Sequence, residues 1–176
     1  MSRIFGDLLQ IGFVVTDIEA AMQHWVQCLG VGPWFFLSHL AIQDFQYCGK
    51  PCEADISLAL AQSGSVQIEL IEQHNNAPSL YQGYLRGGAL SMQHHLGYGT
   101  MHFEEDMKRL GIQYGIAQSG RTGMRGGFAY LKGDKYAGTI IEIIDLAKGR
   151  AELFAAIANA ARNWDGIDQI RTTLPS

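Results

Sequence analysis

The chain has 176 residues, 47% hydrophobic and 17% charged, enough to bury a core as one compact domain or two small fused modules. Its formal net charge of −4 argues against a nucleic-acid or anionic-membrane surface, which needs a basic stripe. No apolar run approaches the ~20 residues that span a bilayer, and residues 1–7 lack the apolar core of a secretion signal. The expectation is a cytoplasmic protein with no membrane or nucleic-acid partner. Cys28, Cys48 and Cys52 are an odd set, read as reduced thiols. Cys48 and Cys52 offer half of a zinc site, with no second cysteine pair to complete it.

Residues 8–15 are bulky and β-branched, which predicts a strand. Period-2 alternation puts Gln10, Gly12 and Val14 on one face and Ile11, Phe13 and Val15 on the other, stronger core face. Thr16 and Glu19 have capping-box spacing, and Ile18, Met22, Trp25, Val26 and Leu29 form one helical stripe that Gly30 and Gly32-Pro33 end. A strand is expected from Trp34 to about Gln43, then a loop from Asp44 to Glu53. Strands from Asp55 to Ala61 and from Val66 to Glu72 flank a tight connection at residues 62–65.

Residues 75–91 read as a connector, with a helical turn around Leu80 to Leu85. A strand over 92–99 follows, with Gln93, His95 and Gly97 on one face and His94, Leu96 and Tyr98 on the other. Thr100 can cap a short helix with the stripe Phe103, Met107 and Leu110, closed by Gly111. Three strands then cover Tyr114–Ser119, Gly127–Lys132 and Gly138–Asp145. From Arg150 to about Asp165, Leu153, Phe154, Ile157, Ala161 and Trp164 make an amphipathic helix. It is able to cover a sheet edge, a pocket or a partner subunit.

The chain repeats itself. Gln10-Ile11-Gly12-Phe13 and His95-Leu96-Gly97-Tyr98 share a pattern: a metal-capable side chain, an aliphatic residue, a glycine and an aromatic. Glu69 and Glu142 each place one carboxylate inside an apolar strand-like run downstream. The predicted fold is α+β: a βαβββ module over 6–74, a connector over 75–91, a second βαβββ module over 92–147, and a C-terminal helix and tail over 148–176. The two modules pair into a curved mixed sheet around a central cleft.

Taken singly, each polar residue has an ordinary reading. Gln10 can be hydrogen-bonded, Glu69 can face solvent, and His95 can be a satisfied core histidine. Their joint placement at equivalent positions of a repeat favours a metal site of Gln10, Glu69, His95 and Glu142. One imidazole nitrogen and three oxygen donors suit a hard or borderline divalent ion such as Zn, Ni, Co, Mn or Mg.

These motifs, with Phe128-Ala129-Tyr130-Leu131, resemble the vicinal-oxygen-chelate superfamily over about residues 6–147. That superfamily holds glyoxalase I, methylmalonyl-CoA epimerases, extradiol dioxygenases and bleomycin-resistance proteins. The order Gln, Glu, His, Glu matches the glyoxalase I ligand set by residue type. Extradiol dioxygenases carry a histidine at the Gln10 position, so ring cleavage is not expected. Glyoxalase I also has glutathione-contacting Arg and Asn residues, where this chain has Val14 and Gln73.

The resemblance implies a metal-dependent lyase or isomerase. It would remove a proton beside the carbonyl of a small organic acid, thioester or hemithioacetal, with Glu142 as base and Glu69 as second choice. Asp55 is a further candidate acid, near where epimerases carry a base. Relatives commonly form homodimers. The rival reading is a non-catalytic small-molecule binding protein on the same scaffold. Trp34, Phe35, Phe36, Tyr47, Phe128 and Tyr130 are candidate pocket-lining aromatics, and the basic hairpin Gly120–Gly127 stays unassigned.

Overall fold

The computed structural model describes residues 1–85, 87–123, 126–133 and 138–175. Strand β1 (Gln10–Val15) leads into helix α1 (Ile18–Leu29), followed by β2 (Trp34–Leu37), β3 (Ile42–Tyr47), β4 (Lys50–Pro51), β5 (Ile56–Ser63) and β6 (Val66–Gln73). The second half runs β7 (Ser91–Thr100), α2 (Phe103–Gln113), β8 (Ile116–Thr122), β9 (Gly127–Leu131) and β10 (Ile140–Asp145). Helix α3 (Arg150–Arg162) and β11 (Ile170–Arg171) complete the chain. No helix among the described residues is long and apolar enough to cross a membrane.

All strands join one sheet in the order β11-β2-β5-β6-β1-β7-β10-β9-β8-β3-β4. The two βαβββ sets meet where β1 and β7 pair antiparallel, and each first strand runs parallel to its own last strand, β6 or β10. The expected α+β architecture of paired modules in a curved mixed sheet is therefore present, with α3 added. Leu37 ends β2 and Ile42 begins β3, yet these strands lie near opposite ends of the strand order. The sheet must curl on itself for so short a link to span it, which makes the cleft a cup rather than an open groove.

Alternation decides which residues enter the cup. Ile11, Phe13 and Val15 pack outward with Ile18, Met22 and Val26 of α1, while Gln10 and Val14 face inward. Leu96, Tyr98, Ile141 and Ile143 pack outward with Leu110 of α2.

Several local expectations are corrected. The helix α1 cap is Asp17, whose carboxylate accepts from Ala20 N at 2.9 Å. Glu72 accepts from Ile18 N at 2.9 Å, and Thr16 N, the group Glu19 was expected to reach, donates to Leu90 O at 3.0 Å instead. Leu29 is exposed rather than part of the buried stripe. Thr100 does not cap α2 in the usual way: its hydroxyl donates to Asp106 at 2.6 Å, and α2 continues past Gly111. The expected loop at Asp44–Glu53 instead carries parts of β3 and β4, with β3 pairing to β8 of the other half. Residues 80–85 form no helix; Tyr84 N donates to Tyr81 O at 3.2 Å in an isolated turn. In the basic hairpin, Met124 and Arg125 lie outside the described residues, and Arg121 pairs with Glu104 at 2.9 Å.

Candidate metal centre

Four central strands bring the predicted ligands together through two rows of cross-strand neighbours. In one row Gln67, Gln10, Gly97 and Glu142 are adjacent on β6, β1, β7 and β10. In the other, Glu69, Gly12, His95 and Ile140 are adjacent. Each glycine thus sits between two ligands. A β-carbon on Gly12 would collide with the His95 ring, and one on Gly97 would press on Gln10 at 3.0 Å. The glycines leave the hollow into which the side chains lean.

His95 Nε2 lies 3.1 Å from Glu142 Oε2, 3.2 Å from Glu69 Oε2 and 3.4 Å from Gln10 Oε1. All four residues are buried. Glu69 Oε2 and Glu142 Oε2 are buried oxygens without a hydrogen-bond donor of acceptable geometry. Two such oxygens around one nitrogen are costly unless a cation sits among them. Ligand atoms of Glu69, His95 and Glu142 all lie within 4.8 Å of one another, the one such group found among the described residues. The donor set fits a divalent ion.

Two neighbours set the ligand orientation, and sequence reasoning missed both. Gln67 Oε1 accepts from Gln10 Nε2 at 2.7 Å, which turns Gln10 Oε1 towards His95. His94 was expected on the opposite face of β7. Pairing with β1 instead skips from Gly12↔His95 to Phe13↔Gln93, and this bulge at His94 puts both rings on the inner side.

His94 Nε2 lies 3.3 Å from Leu80 O, and its Nδ1 lies 3.1 Å from His95 Nδ1. A carbonyl only accepts, so Nε2 of His94 carries its proton. Burial and the His95 charge hold the His94 pKa down to about 3, so its Nδ1 is free to accept. His95 therefore donates from Nδ1 and presents Nε2 to the carboxylates. Burial alone would lower the His95 pKa, but Glu142 and Glu69 together raise it to about 9. Burial also raises the Glu69 pKa, opposed by its contact with His95. Electrostatics that draws a proton onto His95 Nε2 serves equally for a metal ion.

The cluster forms the polar end of a cavity of about 390 Å³ on the inner side of the sheet. Leu40, Ile56, Leu58 and Leu60 wall it, and Leu153 and Phe154 of α3 with Leu174 of the tail roof it. The C-terminal helix thus covers the pocket of its own chain. Of the expected aromatics, Phe128 and Tyr130 line the cavity. Trp34 and Phe36 pack outward against the α1 side, and Phe35 packs against α3. The hydroxyls of Tyr81 and Tyr130 share a hydrogen bond of 3.0 Å at the cavity wall. Burial and then the Glu142 charge raise both tyrosine pKa values, so both keep their protons at neutral pH.

Asp55 is not brought to the site. Ile56, Leu58 and Leu60 take the cavity side of β5, so the residues between and before them turn away. The Asp55 carboxylate meets His39 Nδ1 at 2.7 Å on the protein surface. Cys28, Cys48 and Cys52 are free thiols, and none lines the cavity.

The family model of the Glyoxalase/Bleomycin resistance protein/Dioxygenase superfamily matches residues 9–130. The chain belongs to that superfamily. Methylmalonyl-CoA epimerase from Mycobacterium tuberculosis has a similar fold, with a TM-score of 0.59, 20% identity, and coverage of 86% of this chain and 95% of that one. A hypothetical protein from Bacillus halodurans C-125 gives a TM-score of 0.52 at 20% identity, covering 78% and 92%. A variant of Streptomyces coelicolor methylmalonyl-CoA epimerase, in complex with 2-nitronate-propionyl-CoA, gives 0.51 at 14%, covering 78% and 94%. No curated protein matches the sequence. Members of the superfamily share a scaffold across different chemistries, so the reaction has to be argued from this chain's own cavity.

Proposed function

We propose that this superfamily member is a metal-dependent lyase or isomerase that removes a proton beside the carbonyl of a small organic substrate. The observation that carries the reading is the pair of buried carboxylate oxygens, on Glu69 and Glu142, facing His95 Nε2 at the closed end of an apolar cavity. Gln10, Glu69, His95 and Glu142 would hold the divalent ion. When bound, the ion supplies Lewis-acid stabilisation for negative charge developing on a carbonyl oxygen.

The chain supplies the proton chemistry. Glu142 takes the α-proton at a carboxylate oxygen, the C–H electron pair moves towards the carbonyl, and Glu142 returns the proton to the other face or to the neighbouring carbon. Glu69, across the site, is the second candidate for this role. The Tyr130 hydroxyl remains protonated and can donate to a substrate oxygen. Leucine and isoleucine walls keep bulk water from quenching the carbanionic centre.

The test is deuterium exchange at the α-carbon across CoA thioesters, oxo acids and glutathione hemithioacetals, run beside elemental analysis. Metal-loaded protein is expected to exchange with one substrate class. Glu142→Gln should cut that exchange by roughly 10²–10⁴-fold while metal content is retained. Protein that takes up no stoichiometric divalent ion after reconstitution would overturn the reading. Full exchange in Glu142→Gln would move the base to Glu69.

A further inference from the structure

Polar side chains line the cavity in two places, and every other described lining residue is a hydrocarbon side chain or glycine. Gln10, Glu69, Glu142 and the Tyr81–Tyr130 hydroxyl pair stand at the reacting end. Thr122 and Arg150 stand at the β8–β9 turn. There Arg150 is committed to the fold. Its guanidinium donates to Gly127 O at 3.0 Å, to Gly126 O at 3.1 Å and to the Thr122 hydroxyl. The buried Asp145 carboxylate beside it grips the same turn, accepting from Gly127 N at 3.4 Å and Ala147 N at 3.0 Å. Opposite charges buried around one pair of glycines tie α3 to this turn.

The reacting end is the opposite case, since Glu69 Oε2 and Glu142 Oε2 have no donor of acceptable geometry. From there the walls turn apolar within one inward step. On the same face of their strands, Ile71 follows Glu69, Ile144 follows Glu142, and Phe128 precedes Tyr130. Leu58 and Leu60 continue the wall on β5, under the roof of Leu153, Phe154 and Leu174. Tyr130 is the cross-strand neighbour of Glu142, and Gly127 is three residues earlier on β9. At the usual strand rise the Arg150 anchor is therefore roughly 10 Å from the reacting end. A polar group lodged between the two would lose its water and gain no hydrogen bond in return. At about 30 Å³ per water-sized group, the cavity holds roughly 13 such groups.

We infer that the substrate is a head-and-tail molecule of roughly a dozen non-hydrogen atoms, its oxygens confined to a carbonyl head at the Glu69–Glu142 end and its remainder an uncharged hydrocarbon tail. This deepens the proposed function and rests on that end being the reacting one. The tail lies along Ile144, Leu58 and Leu60, under Leu153, Phe154 and Leu174. All three roof residues lie beyond residue 130, where the family match ends. Tail length is therefore read by this chain's C-terminal segment. A glutathione conjugate, with several charges and a polar peptide body, has no partners along these walls.

Isothermal titration of the zinc-reconstituted full chain tests this with 2-oxo acids of increasing length: 2-oxobutanoate, 2-oxohexanoate, 2-oxooctanoate, 2-oxodecanoate and 2-oxotetradecanoate. Affinity should rise roughly two- to fourfold per methylene up to 2-oxodecanoate and gain nothing further at 2-oxotetradecanoate. 2-Oxooctanedioate matches 2-oxodecanoate in head and size but ends in a carboxylate, and should bind about tenfold or more weakly. S-lactoylglutathione should be weaker still. Leu174→Ala, close to the chain's end, should cost 2-oxodecanoate roughly three- to tenfold and 2-oxobutanoate less than about twofold. The wild-type series needs no variant, so it decides even where Leu174→Ala fails to fold. A series flat in chain length, or tighter binding of 2-oxooctanedioate or S-lactoylglutathione than of 2-oxodecanoate, overturns the inference. Elemental analysis of the same samples separates the two failures: bound zinc with a flat series removes only the substrate class, whereas no bound zinc removes the proposed function.

Discussion

A methyl group at Gly12 would occupy the space of the His95 imidazole, so this glycine is required for close approach rather than for backbone freedom. Gly12→Ala should abolish stoichiometric divalent-ion binding, read by elemental analysis and titration. Gly97→Ala, with contacts near 3.0 Å, should weaken binding less. His94→Phe keeps a ring in the same space but removes the acceptor for His95 Nδ1–H, and should lower metal affinity by roughly 10–100-fold. Gln10, Glu69, His95 and Glu142 were legible because the sequence repeats their surroundings. His94 and Gln67 were not, since one depends on a bulge in pairing and the other on a cross-strand neighbour. Neither feature leaves a local signature. Arg150 was hidden for the same reason: it stands at the start of an amphipathic helix, and only the docking of that helix shows what its first residue meets.

At the scale of elements, periodicity located α1, α3 and most strands, because a buried stripe or face imposes itself on composition. It failed for β3 and β4. Gln43, Asp44 and Gln46 are exposed on a strand near the sheet edge, and such strands need no alternating apolar face. The roof helix is fixed to the sheet by Leu153 and Ile157 against Phe35 and Leu60. Ile157 is fully buried, so Ile157→Ala should cost about 2–4 kcal/mol by denaturant unfolding. Because the same contacts hold the roof, that variant should also bind apolar ligands less tightly.

For the molecule as a whole, the paired histidines give stability a defined pH dependence. Between about 6.5 and 9 the folded, ion-free protein keeps the His95 proton that the unfolded chain has lost. That stabilisation is complete below 6.5 and disappears as pH rises through 9. Glu69, also raised, acts in the same direction. His94 works oppositely: from 6.5 down to about 3 the unfolded chain takes a proton that the folded ring refuses, so stability falls on acidification. Thermal melts of ion-free protein should therefore peak near pH 6–7 and decline towards pH 9. Metal-loaded protein should lack the alkaline decline, because the cation replaces the proton on His95 Nε2. A melting temperature that rises from about pH 7 to 9 in the ion-free form would contradict this arrangement.

The curl of the sheet has a consequence for how the chain can be divided. Strand β3 comes from the first half, yet its described sheet partners include β8 of the second half. Gln10 and Glu69 lie before the connector, and His95 and Glu142 after it. A chain cut between residues 75 and 91 would yield two pieces, each lacking strand partners and half the ligands that the other supplies. Neither piece should fold alone. Mixed together with a divalent ion they should reassemble, with the metal acting as the clasp and its uptake reporting their reunion.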